Sequence, residues 1–141
     1  MESITSIGQE IQEEFGFFDD WMEKYEHLIS LGKDLPLISE EHKLDINLIK
    51  GCQSKVWLHA ELQNGRVVFT ADSDAIITKG IIALMVRALS EQTPEAIVNA
   101  NLDFIDSIGL KEHLSPTRSN GLLSMIKQMK LYALAFQSKT A

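Results

Sequence analysis

Cysteine is almost missing from this chain: Cys52 is the only one in 141 residues. One thiol excludes an intrachain disulfide, and it cannot assemble a cysteine-rich zinc or iron–sulfur site. Long apolar runs are missing too. The longest candidate is broken by Lys79 and Arg87, so no segment reads as a membrane span. The opening residues, MESITSIGQE, lack the basic start and apolar stretch of a signal peptide. A surplus of basic residues is also absent. The net charge is -7, and residues 1–26 hold eight acids against Lys24 alone. An acidic arm of this kind argues against nucleic acid, which needs a basic footprint, and reads as a solvated helix face. The four histidines, His27, His42, His59 and His113, show no metal-ligand spacing. These absences leave a soluble cytoplasmic protein, one domain spanning residues 1–141, with 45% hydrophobic and 23% charged residues.

What is present is periodic. Residues 4–33 read as helix in two pieces, with Trp21, Tyr25, Leu28 and Ile29 on one buried face. Asp19 or Asp20 suits the second start; in LGKDLP, Gly32 supplies a left-handed turn and Pro36 prevents continuation. KVWLHAELQNGRVVFTAD alternates around Asn64-Gly65, the signature of a type I′ hairpin. A two-residue loop pairs Leu62 with Val67, Ala60 with Phe69 and Leu58 with Ala71 on one apolar face, sending Trp57, His59 and Glu61 to the other. LDINLI reads as a third short strand. ADSDAIITKGIIALMVRALSEQ then switches to a core helix capped by Ser73 or Asp74, with Gly80 marking close packing against the sheet. Thr93-Pro94 opens a short helix through about Asn99. HLSPTRSNG is a polar break before a last amphipathic helix bearing Leu122, Met125, Ile126, Met129, Tyr132, Ala133 and Phe136. The fold class is α+β: helices on a small, about three-stranded antiparallel sheet.

Cys52 sits in KGCQSKVWL, after a glycine that permits a sharp turn and just before the strand that starts near Val56. Lys50 and Lys55 flank it, and nearby cations favour the reactive thiolate. Burial in a hydrophobic nook would act the other way by raising the thiol pKa, so a buried, inert cysteine stands beside the reactive one. A thioester hydrolase needs a base close by, and His59 and His113 are the candidates. A peroxide sensor usually adds a resolving cysteine. A carrier that attacks a partner's persulfide needs one thiol only.

GCQSKVW (51–57), DSDAIITKGIIAL (72–84), TPEAIV (93–98), HLSPTRSNGL (113–122) and WMEKYEHLISLGKDLP (21–36) together resemble the SufE family of sulfur-acceptor proteins, in that family's order and spacing. Thr117 stands where serine is expected, which keeps the hydroxyl. The resemblance implies a fold shared with IscU-like scaffolds. It implies an accessory protein rather than a free-standing enzyme, one that accepts sulfane sulfur from a pyridoxal-phosphate cysteine desulfurase of the SufS or CsdA type and stimulates it. The sulfur then passes to a SufBCD-like cluster scaffold. By the same resemblance Cys52 bears the persulfide. Arg118 and Asp74 are candidate partner-binding residues, with Gly51, Gln53 and Ser54 in the cysteine loop. The pyridoxal phosphate belongs to the partner, so the resemblance implies no cofactor and no metal in this chain. A thiol hydrolase and a plain interaction module are the alternatives.

Overall fold

The fold is built around one apolar helix, and the computed structural model describes residues 3–49 and 54–140. That helix, α3 (Ile76–Leu89), is apolar on nearly every side, and Ile82, Leu84, Met85 and Leu89 are fully buried. Each such side chain contributes about 1.5–3 kcal/mol of burial. α1 (Ile4–Gly16) and α2 (Trp21–Lys33) precede it, the two pieces expected from periodicity. Asp20, not Asp19, caps α2 by accepting from the Glu23 backbone N–H at 2.9 Å.

β1 (Val56–Gln63) and β2 (Arg66–Ser73) form an antiparallel hairpin in the expected register: Leu62–Val67, Ala60–Phe69 and Leu58–Ala71 are partners. Asn64 and Gly65 both take positive φ, 52° and 79°, as a type I′ turn requires. Val56, Leu58, Ala60, Val67, Phe69 and Ala71 face the core, and Trp57, His59 and Glu61 face outward. α4 (Pro94–Val98) opens as expected, Thr93 Oγ1 accepting from Ala96 N at 3.2 Å. Two single turns follow, α5 (Phe104–Ser107) and α6 (Leu110–His113), and then the long α7 (Pro116–Thr140). α7 buries Leu122, Met125, Met129 and Ala133, the face read from the sequence, with Ile126, Tyr132 and Phe136 packed beside it.

Several expectations change. The sheet has two strands among the described residues, not about three. LDINLI folds instead as a 3-10 turn, Asp45–Asn47, followed by a single bridge between Leu48 and Trp57. Ile46 is 86% exposed there and finds no second layer to bury it, so alternation alone does not make a strand. Gly32 is not a left-handed turn. It lies inside α2, where an added Cβ would stand 3.0 Å from Gly80 N. Gly80 packs against α2 rather than the sheet, and a Cβ there would overlap the Leu28 carbonyl. The break before α7 is shorter than expected: the helix begins at Pro116, with Ser115 Oγ accepting from Arg118 N at 3.3 Å.

A further change concerns charge. Glu14 is not merely solvated: Arg87 of α3 donates to both its carboxylate oxygens, at 2.9 and 2.7 Å, and His27 lies 3.3 Å away. The Arg87 hydrogen bonds, aided by His27, hold the Glu14 carboxyl below the usual range although partial burial pushes it up. This pair ties α1 to the central helix.

Candidate functional site

The segment expected to carry the chemistry runs between two tied ends. Cys52, Gly51 and Gln53, with Lys50, lie outside the described residues, so the expectations of a turn at Gly51 and a nook around the thiol fall outside them too. On one side, Ile49 N donates to Val56 O at 2.8 Å, and Leu48 bridges Trp57. On the other, Lys55 N donates to Asp74 Oδ1 at 3.1 Å while Asp74 N donates to Lys55 O at 3.3 Å. The chain therefore leaves the outer edge of β1 at Ile49 and rejoins it by Val56. Ser54 is half-buried at the returning end and Lys55 is exposed.

Asp74 thus has a different task from the one read in the sequence. α3 starts at Ile76 with Ala75 in the cap position and no side-chain cap, so neither Ser73 nor Asp74 caps it. Ser73 Oγ accepts from Ala75 N at 3.2 Å instead, and Asp74 reaches across to the foot of the cysteine segment. Chain reversal between β2 and α3 brings the carboxylate there, an outcome that local capping preference does not register.

Residues 37–49 form a strap over the outward face of the hairpin. Ile38 N donates to Ala71 O at 3.1 Å at one end, and Ile49 bonds Val56 at the other. Midway, Lys43 Nζ meets Asp72 Oδ2 at 3.0 Å and sits 4.7 Å from the centre of the Trp57 ring. Asp72 is 16% exposed; burial pushes its carboxyl up, but Lys43, the Ser73 N–H and Lys79 together pull it below the usual range. The same strap carries His42, whose ring stacks on that of His59 with centroids 3.8 Å apart. Sequence spacing gave no sign of this meeting, because the two residues belong to different segments.

Between the strap and α7 lies a cleft of about 410 Å³, lined by Ile46, Leu48 and Ile49 opposite Lys127, Leu131 and Tyr132. It borders the departing end of the cysteine segment, and Ile46 and Leu131 expose apolar surface at its rim. Arg118 lies in the first turn of α7, exposed, and forms no ion pair among the described residues. Beside that turn, Trp21 of α2 stacks on His113 at 3.8 Å, and Tyr25 Oη donates to His113 O at 2.7 Å. His113 is further engaged through Nδ1 with Gly109 O at 3.0 Å. The motif blocks that are far apart in sequence are therefore packing partners. WMEKY meets the chain just before SPTR, and LGKDLP meets the glycine of DSDAIITKG.

Among the described residues no helix is long and apolar enough to cross a membrane. The profile of the SufE family, described as an Fe-S metabolism associated domain, matches residues 9–133. An uncharacterized SufE-like protein of Synechocystis is 40% identical over 127 residues, covering 90% of this chain and 80% of that one. Another, from Rhizobium meliloti, is 39% identical over 132 residues, covering 90% and 94%. The chloroplastic/mitochondrial SufE-like protein 1 of Arabidopsis thaliana is 40% identical over 143 residues, 99% of this chain but 38% of that longer protein. A hypothetical protein of Thermus thermophilus, solved in solution, shares the fold with a TM-score of 0.78 at 19% identity, covering 94% and 96% of the two chains. With the fold, the motif blocks and these matches in agreement, the chain belongs to the SufE family and has a role in iron–sulfur metabolism.

Proposed function

We propose that this protein is a sulfur acceptor whose Cys52 takes sulfane sulfur from the persulfide of a pyridoxal-phosphate cysteine desulfurase, stimulates that enzyme, and delivers the sulfur to a cluster scaffold. The Cys52 thiolate attacks the terminal sulfur of the partner's persulfide. A sulfur–sulfur bond forms to Cys52 as the partner's breaks, and the partner's cysteine leaves as a thiolate. The exchange consumes no oxidant or reductant. A SufS- or CsdA-like enzyme is the donor in this proposal and a SufBCD-like scaffold the recipient. The pyridoxal phosphate is the donor's, and the chain contributes only its thiol.

The observation that carries the proposal is that the only cysteine lies in the family's GCQSKVW block, in a chain matched by the family profile over residues 9–133. Its supports are physical. The residues that flank it are tied, Ile49 to Val56 and Lys55 to Asp74, which gives the thiol's neighbours fixed anchors. An exposed Arg118 with no ion-pair partner among the described residues is available to a partner's carboxylates. The cleft beside Ile46 offers apolar surface for contact. A reducing compartment keeps such a thiol from forming disulfides with other molecules, and the cytoplasm is the one we propose.

The test is intact mass after incubation with a SufS-like desulfurase from the same source, pyridoxal phosphate and cysteine. Wild type should gain about 32 Da, one sulfur atom, reversibly with reductant, and Cys52→Ser should gain nothing. No gain in wild type, or an equal gain in the variant, refutes the proposal.

A further inference from the structure

The outward face of the hairpin assembles three metal-ligating side chains that play no part in the sulfur chemistry. His42 stands on the 3-10 turn Glu40–His42 of the strap, and His59 and Glu61 stand two residues apart on β1, hence on the same face. The imidazole rings are stacked with an interplanar angle of 8°. His59 Nε2 lies 3.1 Å from Glu61 Oε1, and His42 Nε2 lies 4.0 Å from the same oxygen. One donor atom from each of the three falls within 4.8 Å of the others. Glu41 Oε1 is 3.5 Å from His42 Nε2. Donors bound to one tetrahedral zinc ion at about 2.0–2.2 Å stand roughly 3.3–3.6 Å from each other. The three atoms therefore exceed a coordinating separation by at most about 1.5 Å, and rotation of the His42 ring and the Glu61 carboxylate supplies the closure.

We propose that His42, His59 and Glu61 form a binding site for one divalent cation of the zinc class, with Glu41 or water at the fourth position. Two imidazoles and one carboxylate suit zinc or cobalt and do not suit calcium or magnesium, which take oxygen ligands. The site opens onto a cleft of about 300 Å³ whose other walls include Leu37, Val68 and Thr70, so the ion has a route in. His59 and His42 keep only 22% and 34% of their side-chain surface exposed, so less ordering is left for the ion to impose. Bound metal would staple the strap to β1. The strap ends at Ile49, where the cysteine segment begins, so the staple stiffens one foot of that segment. The proposal does not depend on sulfur transfer.

The test uses the full chain carrying Cys52→Ser, which removes the thiol as a competing ligand. Zinc is titrated in competition with a chromophoric chelator, and cobalt is titrated with visible absorption as a geometric readout. The expected result is one ion per chain and a tetrahedral cobalt spectrum. His42→Gln and His59→Gln should each weaken binding by more than about tenfold, a loss that even an outer-shell partner's removal produces. Circular dichroism without metal shows whether each variant folds. Should His59→Gln fail to fold, His42→Gln on the strap decides alone. No stoichiometric binding, or binding unchanged by His42→Gln, overturns the proposal.

Discussion

Replacing Gly80 by alanine sets two effects of opposite sign against each other. In the middle of a helix, alanine is preferred over glycine by about 1 kcal/mol. Gly80, however, lies where α2 crosses α3. A Cβ built there stands 2.6 Å from the Leu28 carbonyl carbon and 3.1 Å from its Cα, and overlaps the carbonyl oxygen. These are backbone atoms, so no side chain can swing aside. Relief requires the helices to part by roughly 0.8 Å, a gap that forfeits a quarter to a half of the dispersion attraction across the contact. Leu28, Ile81 and Leu84 are all buried. Overpacking of this kind costs typically ~1–3 kcal/mol and more where backbone must move. After subtraction of the helix-propensity gain, Gly80→Ala should lose about 2 kcal/mol net. Gly16→Ala is the control: it ends α1 with nothing within 4 Å of the new methyl group, and it should gain a few tenths of a kcal/mol. Urea unfolding followed by far-ultraviolet circular dichroism reads both as midpoint shifts at constant slope. If Gly80→Ala proves as stable as wild type, the crossing is not set by contact at Gly80 and the reasoning fails.

Asp74→Ala should free the Lys55 amide, speeding its hydrogen exchange about fivefold for a bond worth ~1 kcal/mol, whereas Asp74→Asn keeps an acceptor and should stay near wild type. Equal exchange in all three would mean that Asp74 does not hold this foot. Arg118→Ala should leave the unfolding midpoint within about 0.5 kcal/mol of wild type and reduce desulfurase stimulation, and undiminished stimulation removes Arg118 from the partner surface. The Glu14–Arg87 pair predicts an acid limb. Because the folded-state carboxyl titrates below its unfolded value, its contribution is complete above the usual glutamate range, about pH 4–5, and is lost as pH falls through the folded value. Glu14→Gln should cost about 1 kcal/mol at neutral pH, discounted for the 35% exposure of the carboxylate, and should flatten that limb. An acid limb as steep in Glu14→Gln as in wild type would assign it elsewhere.

The sequence by itself determined the features that depend on neighbours a few residues away. Alternation around Asn64-Gly65 fixes which hairpin residues face inward, since a slip of one residue would turn every side chain over. Thr93-Pro94 starts α4, because a hydroxyl that accepts a free N–H and a residue that needs none are local chemistry. The motif blocks carried the family, and with it the importance attached to Cys52. Tertiary structure alone decided the rest. Asp74 looks like a helix cap from its neighbours, and becomes a latch because β2 and β1 run side by side, setting it against Lys55 nineteen residues earlier. Gly80 looks like a sheet contact, and is where α2 crosses, the Leu28 backbone coming too close there for a methyl group. LDINLI alternates like a strand, yet pairing requires a layer to cover it, and the fold leaves Ile46 in solvent. His42 and His59 stand seventeen residues apart with no spacing to connect them, and a strap tied at both ends stacks their rings. Periodicity records which side of an element is apolar; it holds no information about which distant element will arrive there.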